Sequence, residues 1–170
     1  MLEQYPELVF SFIFKTQSDA NADANPNLIL AYTDMNTSES HKLTFPSDKL
    51  RFNELIPDLI LRVLRERVKC KFPLTSENVL SYKLYHLTND RYTYRFGFDE
   101  CYETLYFHNI TVFYEVIIDE SIMKKIRTSF KYTKDDILKR YDNSPDKFSI
   151  SKFSISLKNF IDDGKLNACV

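Results

Sequence analysis

The residues with most chemistry to offer in this chain are three histidines, three cysteines and a scatter of carboxylates. His41, His86 and His108 stand in separate strand or turn contexts, with no second His or Cys at metal-ligand spacing. The CxxC, HxxxH and HExxH patterns are all missing, which argues against a zinc site. Cys101 and His108 lie seven residues apart and could form a nucleophilic pair. The context favours a small buried thiol and a surface imidazole instead. Glycine occurs only at Gly97 and Gly164, so neither a phosphate-cradling loop nor a dinucleotide fingerprint can form. No serine sits in a GxSxG setting. These spacings supply no catalytic residue, no cofactor site and no metal site, and the sequence reads as a protein without enzymatic activity.

The carboxylates are read as solvating and dipole-complementing groups. Asp99, Glu100 and Glu103 follow a hairpin pattern, Asp119 and Glu120 end a strand, and Asp135 and Asp136 open a helix, whose positive end they suit. The basic residues are denser. Arg62, Arg65, Arg67, Lys69 and Lys71 run along the end of the best helix and just past it. Arg62, Arg65 and Lys69 share a stripe at i, i+3, i+7, expected to face solvent and to offset the helix dipole. Their sharper reading is a surface for an acidic partner or a phosphate, and these five are the candidate partner-binding residues. Aromatics are not interleaved with them as single-strand nucleic-acid binders require. Tyr92, Tyr94, Phe96 and Phe98 could stack bases, but such a stripe on one strand face reads more simply as core.

The elements that must position these groups follow from periodicity. Leu8–Phe14 is a strong strand, Ser18–Asn27 a polar loop, and Leu28–Tyr32 and Lys42–Phe45 short strands. A helix is predicted from Asn53, as N-cap, to Lys69, with Leu55, Leu59, Ile60, Val63 and Leu64 on its buried face. Val79–Leu87 and Arg91–Phe98 alternate and are expected to form a hairpin turning at Asn89-Asp90. Thr111–Ile118 is the last strong strand. Beyond Asp119 the pattern turns helical: Ser121–Phe130, Lys134–Tyr141 capped by Thr133, and Ser151–Asp163. No internal repeat or linker stands out.

The chain has 170 residues, 44% of them hydrophobic and 15% aromatic, enough to bury a core without disulfides. A net charge of −1 provides no global field to draw nucleic acid or an anionic membrane. No apolar run reaches a membrane span and no signal-peptide pattern opens the chain, so no membrane insertion is expected. Odd, well-separated cysteines suit a reducing compartment, cytoplasmic or nuclear.

The order of elements resembles the ubiquitin-like β-grasp superfamily. Pro46-Ser47-Asp48 before the main helix and Thr104-Leu105-Tyr106-Phe107-His108-Asn109-Ile110 before the last strand resemble that family's segments at those places. The resemblance spans about Leu8 to Ile118. It departs in a longer first hairpin, an insertion from Tyr92 to Glu103 and the lack of a Gly-Gly tail, which implies a divergent, non-conjugating member. The expected fold is α+β: a mixed sheet crossed by one main helix over residues 1–119, with a helical extension over 120–170 packed on it. The expected function is a non-catalytic protein–protein interaction module, an adaptor or small subunit of a larger complex with another protein as partner. The alternative is an accessory protein binding nucleic acid or phosphate through Arg62–Lys71.

Overall fold

The computed structural model describes residues 6–21, 26–32, 43–98 and 101–143, with the backbone alone at 20–21, 90–98, 101–107, 109 and 141–142. The architecture is α+β, built on a four-stranded mixed sheet. Its central strand β1, Glu7–Lys15, is buried at every position from Val9 onward. That follows from its nearly unbroken apolar run, since a strand covered on both faces cannot alternate. A short helix α1, Gln17–Asn21, follows within the stretch read as loop.

Three short strands come next: β2, Asn27–Ile29; β3, Ala31–Tyr32; and β4, Leu43–Thr44. β3 pairs with β4 in a small ladder of its own. The first strand to join β1 from this region is β5, Ser47–Asp48, antiparallel and only two residues long.

Helix α2 spans Ile56–Glu66. It starts two residues later than expected. Asn53 adopts a left-handed conformation with φ 58°, which Asn tolerates better than most residues, and so serves a turn rather than a cap. The N-cap position falls to Leu55, with Pro57 in the first turn. Leu55 is 67% exposed, against the expected burial. The helix stops before Phe72-Pro73, because Lys69 turns left-handed at φ 60° and the Val68 and Cys70 amides fold back onto the Val63 and Leu64 carbonyls. Leu59, Ile60, Val63 and Leu64 are fully buried. They pack with Phe10, Phe12 and Phe14 of β1. Each such side chain contributes about 1.5–3 kcal/mol through burial.

The remaining strands are long: β6, Val79–Phe98, and β7, Cys101–Ile118. β7 lies parallel to β1 from Asn109 to Ile117 and antiparallel to β6 along its length, giving the order β5-β1-β7-β6. The expected turn at Asn89-Asp90 does not form; Asn89 pairs with Ile110 and Asp90 with Asn109 within one continuous strand. A tight reversal needs residues that accept positive φ, and Asn-Asp without glycine is a weaker turn signal than the strand propensity on either side.

After β7 come α3, Glu120–Lys125, then β8, Lys131–Thr133, and α4, Lys134–Asn143. Asp119 caps α3 through the Ser121 amide at 2.8 Å, and Thr133 caps α4 through the Asp136 amide at 3.1 Å. β8 pairs antiparallel with β2. Ile122, Met123 and Ile126 belong to the α2-side core. Tyr132 and Ile137 join Ile13, Leu28, Leu30, Leu43 and Phe45 in a second core. The third helix expected from the sequence, Ser151–Asp163, lies outside the described residues.

Candidate functional site

Arg62 anchors the densest polar cluster. Its side chain is 10% exposed, not the solvent-facing cation of the expected stripe. The 48–54 turn closes over that flank of α2 and supplies its hydrogen-bond partners, with Glu66 of the helix itself 3.6 Å away. Arg62 Nε donates to Glu54 Oε1 at 2.7 Å, Nη1 to Asp48 Oδ2 at 2.8 Å, and Nη2 to Glu54 Oε2 at 2.8 Å and the Lys49 carbonyl at 2.7 Å. Two-pronged pairing of this kind is the strong form of the Arg–carboxylate contact. The guanidinium holds the Glu54 carboxyl well down, at about 2, against a smaller opposing effect of burial. The same contact raises the Arg62 pKa further. Arg67 donates to Asp48 at 3.3 Å, and Arg51 pairs with Glu66 at 3.2 Å on the surface. The cluster bolts α2 to the two-residue strand β5.

The other members of the expected basic patch are dispersed. Arg65 is exposed yet donates to the Leu74 carbonyl at 3.1 Å. Lys69 and Lys71 are exposed. With Arg62 enclosed and Arg65 and Arg67 engaged, the five residues do not form one open cationic surface.

A second ion pair lies on the sheet face away from α2. Lys15 reaches Glu115 at 2.9 Å, with side chains 8% and 12% exposed, and Lys83 approaches the other Glu115 oxygen at 3.5 Å from the surface. It links β1, β7 and β6. Among the described residues no three His, Cys, Asp or Glu side chains gather to hold a metal. His86 is exposed, and His108 contacts Asn89 Oδ1 at 2.5 Å across the β6–β7 pair. His41 lies outside the described residues. Cys70 is a free, buried thiol pushed up to about 11 by burial, so it is a poor nucleophile.

The least covered part of the sheet is β6. It is the edge strand opposite β5, and among the described residues no strand pairs with its outer side. Leu80 is 55% exposed, Tyr82 42%, Leu84 58% and Leu87 53%. Tyr82, Leu84 and Leu87 pair with Val116, Tyr114 and Val112 of β7, so they stand on the α2 side, beyond the helix's reach. The Tyr82 ring meets Tyr114 edge-on at 5.9 Å. Ser81, Lys83 and His86 occupy the positions between. Irregularities at Leu80 and Tyr85 interrupt the ladder. The sequence showed the alternation of this strand but read it as half-buried, because whether a strand ends up at an edge depends on partners far along the chain.

No protein-family model and no curated protein sequence matches the chain. Among solved structures it is similar to a protein of Jonesia denitrificans described as a possible asymmetric diadenosine tetraphosphate hydrolase. The TM-score is 0.41 and the identity 11%, over 80% of this chain and 82% of that one. The ubiquitin-like assignment finds no support in any of these comparisons and is corrected. The strands agree with the correction. β2 pairs with β8, β3 with β4, and Thr104–Ile110 lies inside β7 rather than before it. The readings as a non-enzyme, as a non-catalytic adaptor and as an accessory protein using Arg62–Lys71 find no support in these comparisons and are withdrawn. A likeness of this extent assigns no reaction to the present chain. No helix among the described residues is long and apolar enough to cross a membrane.

Proposed function

We propose that this chain binds an extended segment of a partner protein by strand addition along the outer edge of β6. The observation that carries the reading is the row Leu80, Tyr82, Leu84 and Leu87, each between 42% and 58% exposed on a strand whose outer side is unpaired among the described residues. An added strand gains main-chain hydrogen bonds from the edge and specificity from alternate side chains. The chemistry of the edge selects the segment. Apolar residues at every second position meet Tyr82, Leu84 and Leu87. Polar or acidic residues at the positions between meet Lys83, whose side chain is 73% exposed, and His86. Scattered cysteines with Cys70 free support a cytoplasmic or nuclear setting.

The test is titration of the full chain with a ten-residue peptide alternating Ile with Ser and Glu, read by backbone amide shifts. Shifts concentrated on Leu80–Leu87, weakened at least tenfold in Leu84→Asp, are expected. Shifts centred elsewhere, or equal binding by the variant, would overturn the reading.

A further inference from the structure

The turn that encloses Arg62 sorts its own side chains by type. Its carboxylates go inward: Asp48 and Glu54 are largely covered and lie against the Arg62 guanidinium. Its cations and apolar groups go outward. Lys49 and Arg51 reach into solvent, and Leu50 and Leu55 are exposed. Phe52 is 95% exposed, the most of any large apolar residue described. The backbone fixes it there. The Glu54 amide donates to the Arg51 carbonyl at 3.1 Å, and the Arg51 amide donates to Glu54 Oε2 at 2.9 Å. Phe52 and Asn53 are the corner residues of that turn. A positive φ at the second corner, 58° at Asn53, belongs to a type II turn, and asparagine is among the few residues that accept it. Arg62 holds Glu54 and the Lys49 carbonyl from behind. A braced corner, not a loose loop, therefore displays the phenyl ring.

We propose that this corner is a lipid-contacting tip: Phe52, with Leu50 and Leu55 beside it, enters the interface of an anionic bilayer while Lys49 and Arg51 meet the headgroup phosphates. The surface lies by β5, at the opposite edge of the sheet from β6, and the inference stands independently of the strand-addition reading. Three observations favour a bilayer over a pocket on a protein. The apolar groups project from a convex corner, a shape suited to a deformable surface. Sorting by sign leaves the outward charges of the turn positive, which complements acidic headgroups. Lys49 and Arg51 flank Leu50, and Arg51 adjoins Phe52, so their apolar stems follow the tip while their charges stay at headgroup level. Their present partners, Glu7 at 2.8 Å and Glu66 at 3.2 Å, are surface carboxylates. Such pairs are worth little and give way to phosphate. The overall charge of −1 gives no long-range pull, and Asp58 is exposed at the start of α2. The contact is accordingly weak and reversible, lying in the interface rather than spanning it.

Vesicles of phosphatidylcholine with about 30% phosphatidylserine test this on the full chain. The chain has no tryptophan, so Phe52→Trp places a single indole at the corner. Its emission is expected to move to shorter wavelength as lipid is added and to be quenched by bromine-labelled acyl chains. The wild type is expected to sediment with these vesicles at millimolar lipid, less so as salt is raised. Phe52→Ser with Leu55→Ser should lower the bound fraction about tenfold or more, through loss of apolar contact alone. Both positions are exposed, and the sedimentation of the wild type and the quenching at position 52 decide without this variant, should it misfold. An indole that stays in water while lipid is added overturns the inference. So does undiminished binding by the double serine variant, which places the lipid contact elsewhere. Equal binding to phosphatidylcholine alone overturns the anionic surface as the ligand. A shift that grows with protein concentration in the absence of lipid overturns it as well, assigning the corner to a second copy. Leu84→Asp, on β6, should leave vesicle binding unchanged, which keeps this result separate from the strand-addition reading.

Discussion

The two edges of the sheet are finished in opposite ways. At one, β5 is two residues long and is held by Arg62, whose guanidinium joins Asp48, Glu54 and the Lys49 carbonyl. At the other, β6 runs for twenty residues with an apolar row half in water. A short edge buttressed by charge offers little for another chain to pair with. A long one is a template for added strands, and over its described side chains its irregularities and Lys83 blunt it. The difference lies in where the helix sits. α2 covers β1 and β7 and is tied to the β5 side, so the β6 side of the same face is left over.

The comparison breaks most readily at the helix. Leu59→Ala removes a fully buried side chain and should cost about 2–5 kcal/mol in urea unfolding. Leu55→Ala, one turn earlier at 67% exposure, should cost under about 0.5 kcal/mol. Equal losses would mean that α2 does not face the sheet as described. Arg62→Met keeps the apolar stem but leaves Glu54 without its close cation and Asp48 with Arg67 alone. A loss of about 2–4 kcal/mol is expected, below the full figure for a deeply buried pair because Arg67 and the surface lie nearby. A neutral result would show that the turn, not the ion cluster, secures β5.

Glu54 tests the same edge by pH. Its carboxyl titrates near 2 when folded, against an ordinary 4.5, because the folded state favours the ionised form. Its contribution is therefore full above about pH 5 and drains away as pH falls from 4.5 towards 2. Glu54→Gln should lose about 1–2 kcal/mol at neutral pH, and the difference from wild type should close across that acid range. A gap that persists at pH 2 would point to packing rather than charge.

Much of this framework was legible beforehand. The apolar run of β1, the helical spacing of Leu59, Ile60, Val63 and Leu64, and the Thr133 cap each follow from local chemistry, and local chemistry is what a sequence displays. The failures have one physical origin: they depend on what arrives from elsewhere in the chain. Arg62 looked exposed because its helix stripe is polar, but Asp48 and Glu54 enclose it from outside the helix. Leu28–Tyr32 looked like one short strand, but Leu28 and Ile29 pair with Tyr132 and Lys131, more than a hundred residues away. Leu84 looked half-buried by alternation, but no rule of alternation says which strand will be outermost. The candidate site was invisible for that reason, while two of the five residues singled out for it, Arg62 and Arg67, turned out to hold the opposite edge.

The smallest change in stability carries the sharpest statement about the open edge. Lys83 stands mid-strand on β6, 73% exposed, its ammonium 3.5 Å from Glu115. Glu115 already has Lys15 at 2.9 Å, so Lys83→Ile leaves the buried pair intact and should alter unfolding by no more than about 0.5 kcal/mol. What it removes is the charge that discourages a second copy from pairing with this edge. Lys83→Ile should therefore self-associate in sedimentation at concentrations where the wild type is a monomer. A variant that stays monomeric would mean that the irregularities at Leu80 and Tyr85 protect the edge by twist alone, with the lysine not required.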